Sequence, residues 1–212
     1  MKTWSSIILA GGMSRRMGSS KALLEINVQT MVELLVEVLT PFSRKIIIVS
    51  NEKDYEYISS LFQQALHVQI VTDDPLYQGE GPLAGIYTGM KELQDSWYFV
   101  CACDMVKLHP NYLVGLQERL HTEIVTKRQQ YDAFIPYSEG RVQPLAGLYS
   151  QQKETIKKLL DQNKHRITEW LTHMNYYRIE PSEWQGWTPI SDVFFNMNKP
   201  EDYLQICRER GK

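Results

Sequence analysis

The sequence predicts an α/β chain: a three-layer α/β/α sandwich around a mostly parallel sheet. Three observations lead there. Short β-branched runs alternate with amphipathic stretches of helical period through the first half of the chain, and glycine- and proline-rich loops separate them. In addition, 212 residues at 43% apolar supply one large core and too little for two. Strands alternating with helices give right-handed βαβ units, with helices on both faces of the sheet.

Residues 4–10 form the first expected strand, an apolar run ending in Gly11-Gly12, and a loop follows to about Lys21. Met31, Leu34, Leu35, Val38 and Leu39 recur at helical spacing in residues 29–39, and Pro41 ends the pattern. Residues 45–50 read as a strand, 54–64 as a helix and 67–72 as a third strand. A loop over 75–82 leads to a helix at 83–93, a strand at 97–102 and a helix at 111–120. The second half is less regular. Strands are expected at 131–136 and 142–149 around Ser138-Glu139-Gly140, then helices at 152–162 and 167–174, a strand at 176–179, and a last helix from Pro200 to about Glu209. No linker, repeat or low-complexity tract interrupts the chain, so residues 1–212 are expected to form one domain whose halves, about 1–120 and 121–212, share a sheet.

Twenty-three basic against twenty-five acidic residues leave a net charge of −2, with both signs interspersed, which excludes generic binding to nucleic acid or anionic membrane. A small polyanion needs only a few cations and is not excluded. No apolar run is long enough to span a bilayer, and the N-terminal segment lacks the order of an export signal, so a cytoplasmic location is expected. Cys101, Cys103 and Cys207 cannot build a disulfide framework; Cys101 and Cys103 lack a second pair at zinc spacing and read as buried structural thiols.

The loop Leu9-Ala-Gly-Gly-Met-Ser-Arg-Arg-Met-Gly-Ser-Ser-Lys21 carries the chemistry. It leaves the first strand, and in an open α/β sheet ligands bind outside the carboxyl ends of the strands. Gly11 and Gly12 let backbone N–H groups approach phosphate oxygens, and Arg15, Arg16 and Lys21 add positive charge. It is not a Walker loop, since Gly18 is followed by Ser19, and it contains no Gly-x-Gly for a dinucleotide fingerprint. A glycine turn with solvated arginines is the plain alternative. Asp104, just past the fourth strand, projects into the same crevice and suits a Mg²⁺ held between phosphates. Asp73 and Asp74 end the third strand just before Gly79, Gly81 and Gly85. Either carboxylate there suits a guanine edge or a ribose hydroxyl, with a solvated loop residue the equal alternative for Asp73. Asn196 and Asn198 alternate, so they point the same way; their amides suit a heterocycle edge, and a capping role before Pro200 is the alternative for Asn198.

The first loop resembles the signature Leu-Ala-Gly-Gly-x-x-x-Arg-(Met)-Gly-x-x-Lys of nucleotidyltransferases of the molybdenum cofactor guanylyltransferase type. The likeness continues in order through Gly81-Pro-Leu-Ala-Gly85, Cys101-Ala-Cys-Asp104 and Phe195-Asn-Met-Asn-Lys-Pro-Glu-Asp202, and so spans nearly the whole chain. It implies a nucleotidyltransferase fold with a Rossmann-like sheet, a nucleotide-binding first half and a pterin-side second half. The implied reaction is transfer of GMP from GTP to molybdopterin, or its molybdenum-loaded form, with pyrophosphate released and Mg²⁺ as cofactor. Arg15 and Lys21, with Gly11 and Gly12, are implied at the triphosphate, and Asp104 at the metal. Asp74, Gly81 and the backbone of Leu9 and Ala10 are implied at the nucleoside, and Asn196 and Asn198 at the pterin. Arg141, Gln143 and the Pro144-Leu-Ala-Gly147 segment are weaker pterin-side candidates, and Trp184 and Trp187 read as packing. Other cofactor-biosynthesis proteins and apo-molybdoenzymes complete the implied partners. The chain departs from the pattern at Val106, where relatives usually carry proline. A cytidylyltransferase on the same pterin is the nearest rival, though its members tend to read Leu-Ala-Ala-Gly in the first loop. A non-catalytic cofactor carrier is the rival of another class, which retention of Lys21 and Asp104 disfavours.

Overall fold

The computed structural model describes residues 2–12, 20–189 and 192–210. In chain order it contains β1 (Trp4–Leu9), a 3₁₀ turn (Lys21–Leu23), the short pair β2 (Glu25–Ile26) and β3 (Gln29–Thr30), α1 (Met31–Leu39), β4 (Ser43–Ser50), α2 (Glu52–Leu61) and β5 (Val68–Thr72). There follow α3 (Pro82–Glu92), β6 (Trp97–Ala102), α4 (Pro110–Leu120) with a π-turn at His121–Thr126, β7 (Ala133–Ser138), β8 (Arg141–Val142) and β9 (Ala146–Ser150). The chain closes with α5 (Lys153–Asp161), α6 (Ile167–Leu171), β10 (Tyr176–Ile179), α7 (Pro181–Trp187) and α8 (Pro200–Arg210).

The main sheet runs β10-β7-β9-β6-β1-β4-β5, with β8 paired to β7. Strands β5, β4, β1 and β6 are parallel, whereas β9 runs antiparallel to both β6 and β7. Successive side chains on a strand face opposite sides, and this alternation splits the core in two. Ile8, Ile46, Ile48, Phe99 and Cys101 meet apolar residues of α1, α2, α4 and α7 on one face. Ile7, Ile47, Val49, Tyr98 and Val100 meet those of α3, α5 and α6 on the other. A third, small cluster of Ile26, Met31, Val106, Met197 and Ile206 docks α8 beside the first loop. Among the described residues, no helix is long and apolar enough to cross a membrane.

The expected strand at 142–149 is two strands in the structure. Pro144 has no N–H for a ladder, and the Gln143 amide turns back to the Pro136 carbonyl (2.8 Å), so the chain leaves the β7–β8 hairpin before re-entering the sheet as β9. The helix at 181–187 was not expected. Its signals are Pro181 at the first turn and a capping box in which Glu180 and Glu183 exchange backbone contacts. The expected helix at 29–39 begins two residues later, because Thr30 caps it and residues 25–30 form the β2–β3 hairpin.

Helix α3 lies almost flush on β1 through two glycines. A Cβ on Gly85 would come within 2.9 Å of Leu9 Cδ2, and one on Gly89 within 2.7 Å of Ile7 Cγ2. The second glycine of the Gly81–Gly85 motif therefore serves helix-on-strand packing. The other anchor of α3 is polar. Lys91 Nζ donates to Asp74 Oδ2 (2.8 Å), the Leu76 amide donates to Asp74 Oδ1 (3.0 Å), and the Asp74 amide donates to Thr88 Oγ1 (2.9 Å). The lysine contact first, then the Leu76 amide, hold the Asp74 carboxyl below the usual carboxylate range.

Two outcomes follow from this packing. Gly89→Ala should destabilise the protein by about 1–2 kcal/mol, because crowding against a fully buried Ile7 outweighs the gain in helix propensity; Gly186→Ala, whose Cβ meets nothing within 4 Å, should stabilise it. Urea midpoints read both, and equal shifts of the two would sink the packing account. A group with a depressed folded pKa stabilises above its unfolded pKa and loses that contribution as pH falls through the folded value. The deficit of Asp74→Asn relative to the unsubstituted protein should therefore be full at neutral pH and vanish below the ordinary carboxylate range. A pH-independent deficit contradicts the ion-pair assignment.

Candidate active site

The carboxyl ends of β1, β4 and β6 are joined directly above the sheet: the Ala10 amide donates to the Val49 carbonyl (2.8 Å) and the Cys103 amide to the Leu9 carbonyl (3.0 Å). These contacts set Leu9, Ala10 and Cys103 side by side on the crevice floor. A Cβ on Gly11 would lie 3.5 Å from the Asn51 nitrogen, so the loop grazes the start of α2, whereas a Cβ on Gly12 would meet nothing within 4 Å. Arg15 and Arg16 lie outside the described residues.

Lys21 opens the 3₁₀ turn on the far side of this loop. Its ammonium donates to Asp104 Oδ2 and to Asn198 Oδ1, each at 2.8 Å. Three segments expected at one site, the first loop, the end of β6 and the Asn-x-Asn turn, thus meet at one nitrogen. The turn is docked a second time, through the Met197 amide to the Asp104 carbonyl (3.2 Å), with Met197 fully buried. Asp104 Oδ1 is shielded from solvent and, among the described residues, has no hydrogen-bond partner. A buried carboxylate oxygen left without a partner is costly, and the donor set is one a hard divalent ion accepts. Among the described residues no group of three His, Cys, Asp or Glu side chains surrounds such an ion. Phosphate and water oxygens would have to fill its remaining positions.

Asn198 does not cap α8 with its side chain. The Asp202 carboxylate does that, accepting from the amides of Asn198 and Lys199 (2.8 Å each), and these contacts hold its carboxyl below the usual range. The Asn198 amide group donates to the Asn196 carbonyl (3.2 Å), and Asn196 donates to the Phe194 carbonyl (3.3 Å). Val106 packs in the small cluster with Met197, so the site keeps its turn without the proline.

On the β5 side the two aspartates part company. Both oxygens of Asp74 are engaged, with Lys91 and with the Leu76 amide. Asp73 stands against Gly85, with Oδ1 3.6 Å from where that residue's Cβ would be, close to Leu9 and Val49. Burial raises the Asp73 pKa, partly opposed by a hydrogen bond from the Gly79 amide. Gly81 has φ 84° at the start of α3, with Pro82 behind it, so its absent side chain answers a backbone requirement.

Sequence reasoning passed over Asn51, which ends β4 beside Gly11. Its Oδ1 accepts from the Asp54 amide (2.9 Å) and its Nδ2 donates to Asp54 Oδ2 (2.7 Å). The signal was present, since an asparagine between a β-branched run and a helical one reads as a cap. The second half contributes the β7–β8 hairpin on the same side. Gln143 is turned inward there, donating to the Ser138 carbonyl (3.2 Å), while Arg141 is exposed. Pro144 and Ala146 offer their carbonyls to Tyr149 (2.7 Å) and Tyr112 (2.8 Å). Trp184 is buried and donates to the Tyr137 carbonyl, and Trp187 covers Gly115. Cys101 and Cys103 are buried and unpaired; burial pushes the Cys103 thiol up to about 12 and Cys101 higher still, which makes both unreactive at neutral pH.

Known proteins share this fold. A protein of Bacillus cytotoxicus called probable molybdenum cofactor guanylyltransferase is 35% identical over 99% of this chain and all of its own, and a like-named protein of a Geobacillus species is 34% identical over 97% and 99%. Among solved structures, molybdopterin-guanine dinucleotide biosynthesis protein A of Archaeoglobus fulgidus superposes with a TM-score of 0.79 at 24% identity, covering 98% of each chain. A nucleotidyl transferase of Methanothermobacter superposes at 0.70 over the full length of both chains, with 17% identity. Residues 6–175 match the MobA-like NTP transferase domain, and with full-length relatives at this identity the chain belongs to that family.

Proposed function

We propose that this protein is a guanylyltransferase that joins GMP from GTP to the phosphate of molybdopterin, or of its molybdenum-loaded form, releasing pyrophosphate. The observation that carries the reading is the meeting of Lys21, Asp104 and Asn198 at one point of the crevice. The names of the full-length relatives support it. In the reaction a phosphate oxygen of the pterin attacks the α-phosphorus, a new P–O–P link forms, and the bond from the α-phosphorus to the β-phosphate bridging oxygen breaks. The leaving group is itself a good one, so the chain needs no nucleophile; its task is alignment and charge neutralisation.

Each residue then has a part. Gly11 and Gly12 present backbone N–H groups to the triphosphate, and Lys21, with Arg15 from the same loop, balances its charge. Asp104 would hold Mg²⁺ through Oδ1, and the ion would neutralise charge on the phosphates. Leu9 and Ala10 give a flat backbone floor for the nucleoside, and Gly81 bounds it from above. Asp74, the acid that the resemblance implies at the nucleoside, has both oxygens engaged and fixes this frame through Lys91, so Asp73 beside it is proposed as the carboxylate that the base or ribose meets. Asn196 and Asn198 line the entry of the second substrate, with Asn198 also steadying Lys21. Arg141, on the second half's hairpin, faces the same side.

Incubation with molybdopterin, Mg²⁺ and each nucleoside triphosphate, with mass identification of the product, tests the assignment; a cytosine dinucleotide as main product would overturn the guanine preference. Asp104→Ala should lower pyrophosphate release by about 100-fold or more, since it removes the metal-holding oxygen; undiminished release is incompatible with that role. Burial raises the Asp73 pKa, so the fold disfavours its charged form. Asp73→Asn should thus match or exceed the unsubstituted protein in thermal stability while raising the KM for GTP. A variant that loses stability and keeps its KM would show Asp73 to be structural.

A further inference from the structure

The loop after β6 grips the C-terminal segment at Asp104, Val106 and Lys107. The Asp104 carbonyl accepts from the Met197 amide (3.2 Å), and Val106 packs with Met197 and Ile206 in the small third cluster. Lys107 supplies the charged hold. Its ammonium meets Asp192 Oδ2 at 2.6 Å and Glu209 Oε2 at 2.8 Å, and lies 5.1 Å from the centre of the Phe195 ring. The lysine side chain is 13% exposed, whereas its two carboxylate partners are half-exposed, so either ion pair alone would be weak. Sharing changes this. A largely desolvated ammonium that serves two carboxylates and a ring face cannot leave one of them without disturbing the others.

These partners are placed to brace the Asn-x-Asn turn. Asp192 precedes it, with its carbonyl accepting from the Phe195 amide (2.8 Å), and Glu209 stands near the end of α8, which follows it. Val193 and Met197, both fully buried, enter separate core clusters, so Asn196 is strung between two fixed points. We propose that Lys107 is a positioning residue for the second substrate: by clamping Asp192, Phe195 and Glu209 together, it fixes the path of Asn196 and Asn198 along the crevice. This deepens, and rests on, the reading of those asparagines as pterin-side groups. Lys107 touches neither substrate in this account, and its influence passes through the backbone of residues 195–198. Tyr203, on a different flank of α8, donates its hydroxyl to the Glu25 carbonyl (2.7 Å) and keeps the helix docked without the lysine. Loss of Lys107 therefore loosens the turn and leaves the fold standing.

In full-length Lys107→Met, which keeps an unbranched chain and removes the charge, the KM for molybdopterin should rise by about fivefold, while the KM for GTP and the kcat stay within about twofold. Lys107→Arg, whose separate nitrogens can serve both carboxylates, should recover most of the loss. The double variant Asp192→Ala/Glu209→Ala should reproduce Lys107→Met from the other side of the contact. It alters only half-exposed side chains, and so decides the matter should the lysine variant fold poorly. A molybdopterin KM that stays unchanged in these variants overturns the proposal, as does an equal rise in the KM for GTP, which marks general loosening of the crevice. Asn196→Ala separates the clamp from the reading beneath it. If Asn196→Ala raises the molybdopterin KM and the Lys107 and carboxylate variants do not, the clamp alone is refuted; if Asn196→Ala leaves that KM unmoved, the pterin-side reading falls and takes the proposal with it.

Discussion

The site depends on one cation. Lys21 reaches back from the far end of the first loop to an aspartate beyond β6 and an asparagine close to the C-terminal helix, and its ammonium is the point at which side chains of all three parts meet. The interaction is more than a surface ion pair, since both side chains are largely withdrawn from solvent (14% and 16% exposed). A partly buried pair is a poor source of stability, because desolvation offsets most of the attraction. What it provides is geometry. The positive charge is already in place where a polyanion must sit, and one carboxylate oxygen is occupied while the other is left over. Such prior arrangement of charge is what phosphoryl-type chemistry asks of a protein.

The sheet makes that meeting possible. Parallel β1, β4 and β6 end on the same side, so their loops open into one crevice with no further device. The second half joins through α4, which carries the chain from β6 to a β7 that runs parallel to β6 one place removed, and the antiparallel β9 then fills the gap between them. The β7–β8 hairpin therefore opens on the same side as the ends of β1, β4 and β6.

Much of this was legible in the residues. Strand β6 and strand β10 fall where β-branched and aromatic runs put them, and the parallel half follows from alternation of period two and period 3.6. That Lys21 and Asp104 share a crevice followed from placing each segment at a strand end; the contact of Asn198 with Lys21 did not, since the Asn-x-Asn turn was tied to the site through the resemblance alone. What escaped was set by tertiary contact. Nothing local distinguishes the two aspartates at 73 and 74; only Lys91, seventeen residues on, decides which one is neutralised. The break at Gln143-Pro144 was visible as a proline, but the choice of two strands over one depends on the Pro136 carbonyl in another strand. The short α7 is stabilised by its capping box and by Trp184 and Trp187, which read as packing residues in the sequence although the helix that carries them did not.

The adjacent aspartates show how a site keeps a charge that the fold alone would discard. Successive residues at a strand end point to different surroundings, so two identical side chains acquire opposite tendencies. Asp74 gains a lysine and an amide, ionises more readily than a free carboxylate, and spends that charge on holding α3 against the sheet. Asp73 gains only burial and one amide, and resists ionisation. A carboxylate in that condition is a better hydrogen-bond acceptor for an incoming N–H or O–H than one already satisfied, because binding relieves its desolvation. The glycine behind it is part of the same arrangement: Gly85 lets α3 come close to β1, which brings Lys91 within reach of Asp74. Packing of α3 on β1 and the proposed recognition of a nucleoside thus fall on one short segment.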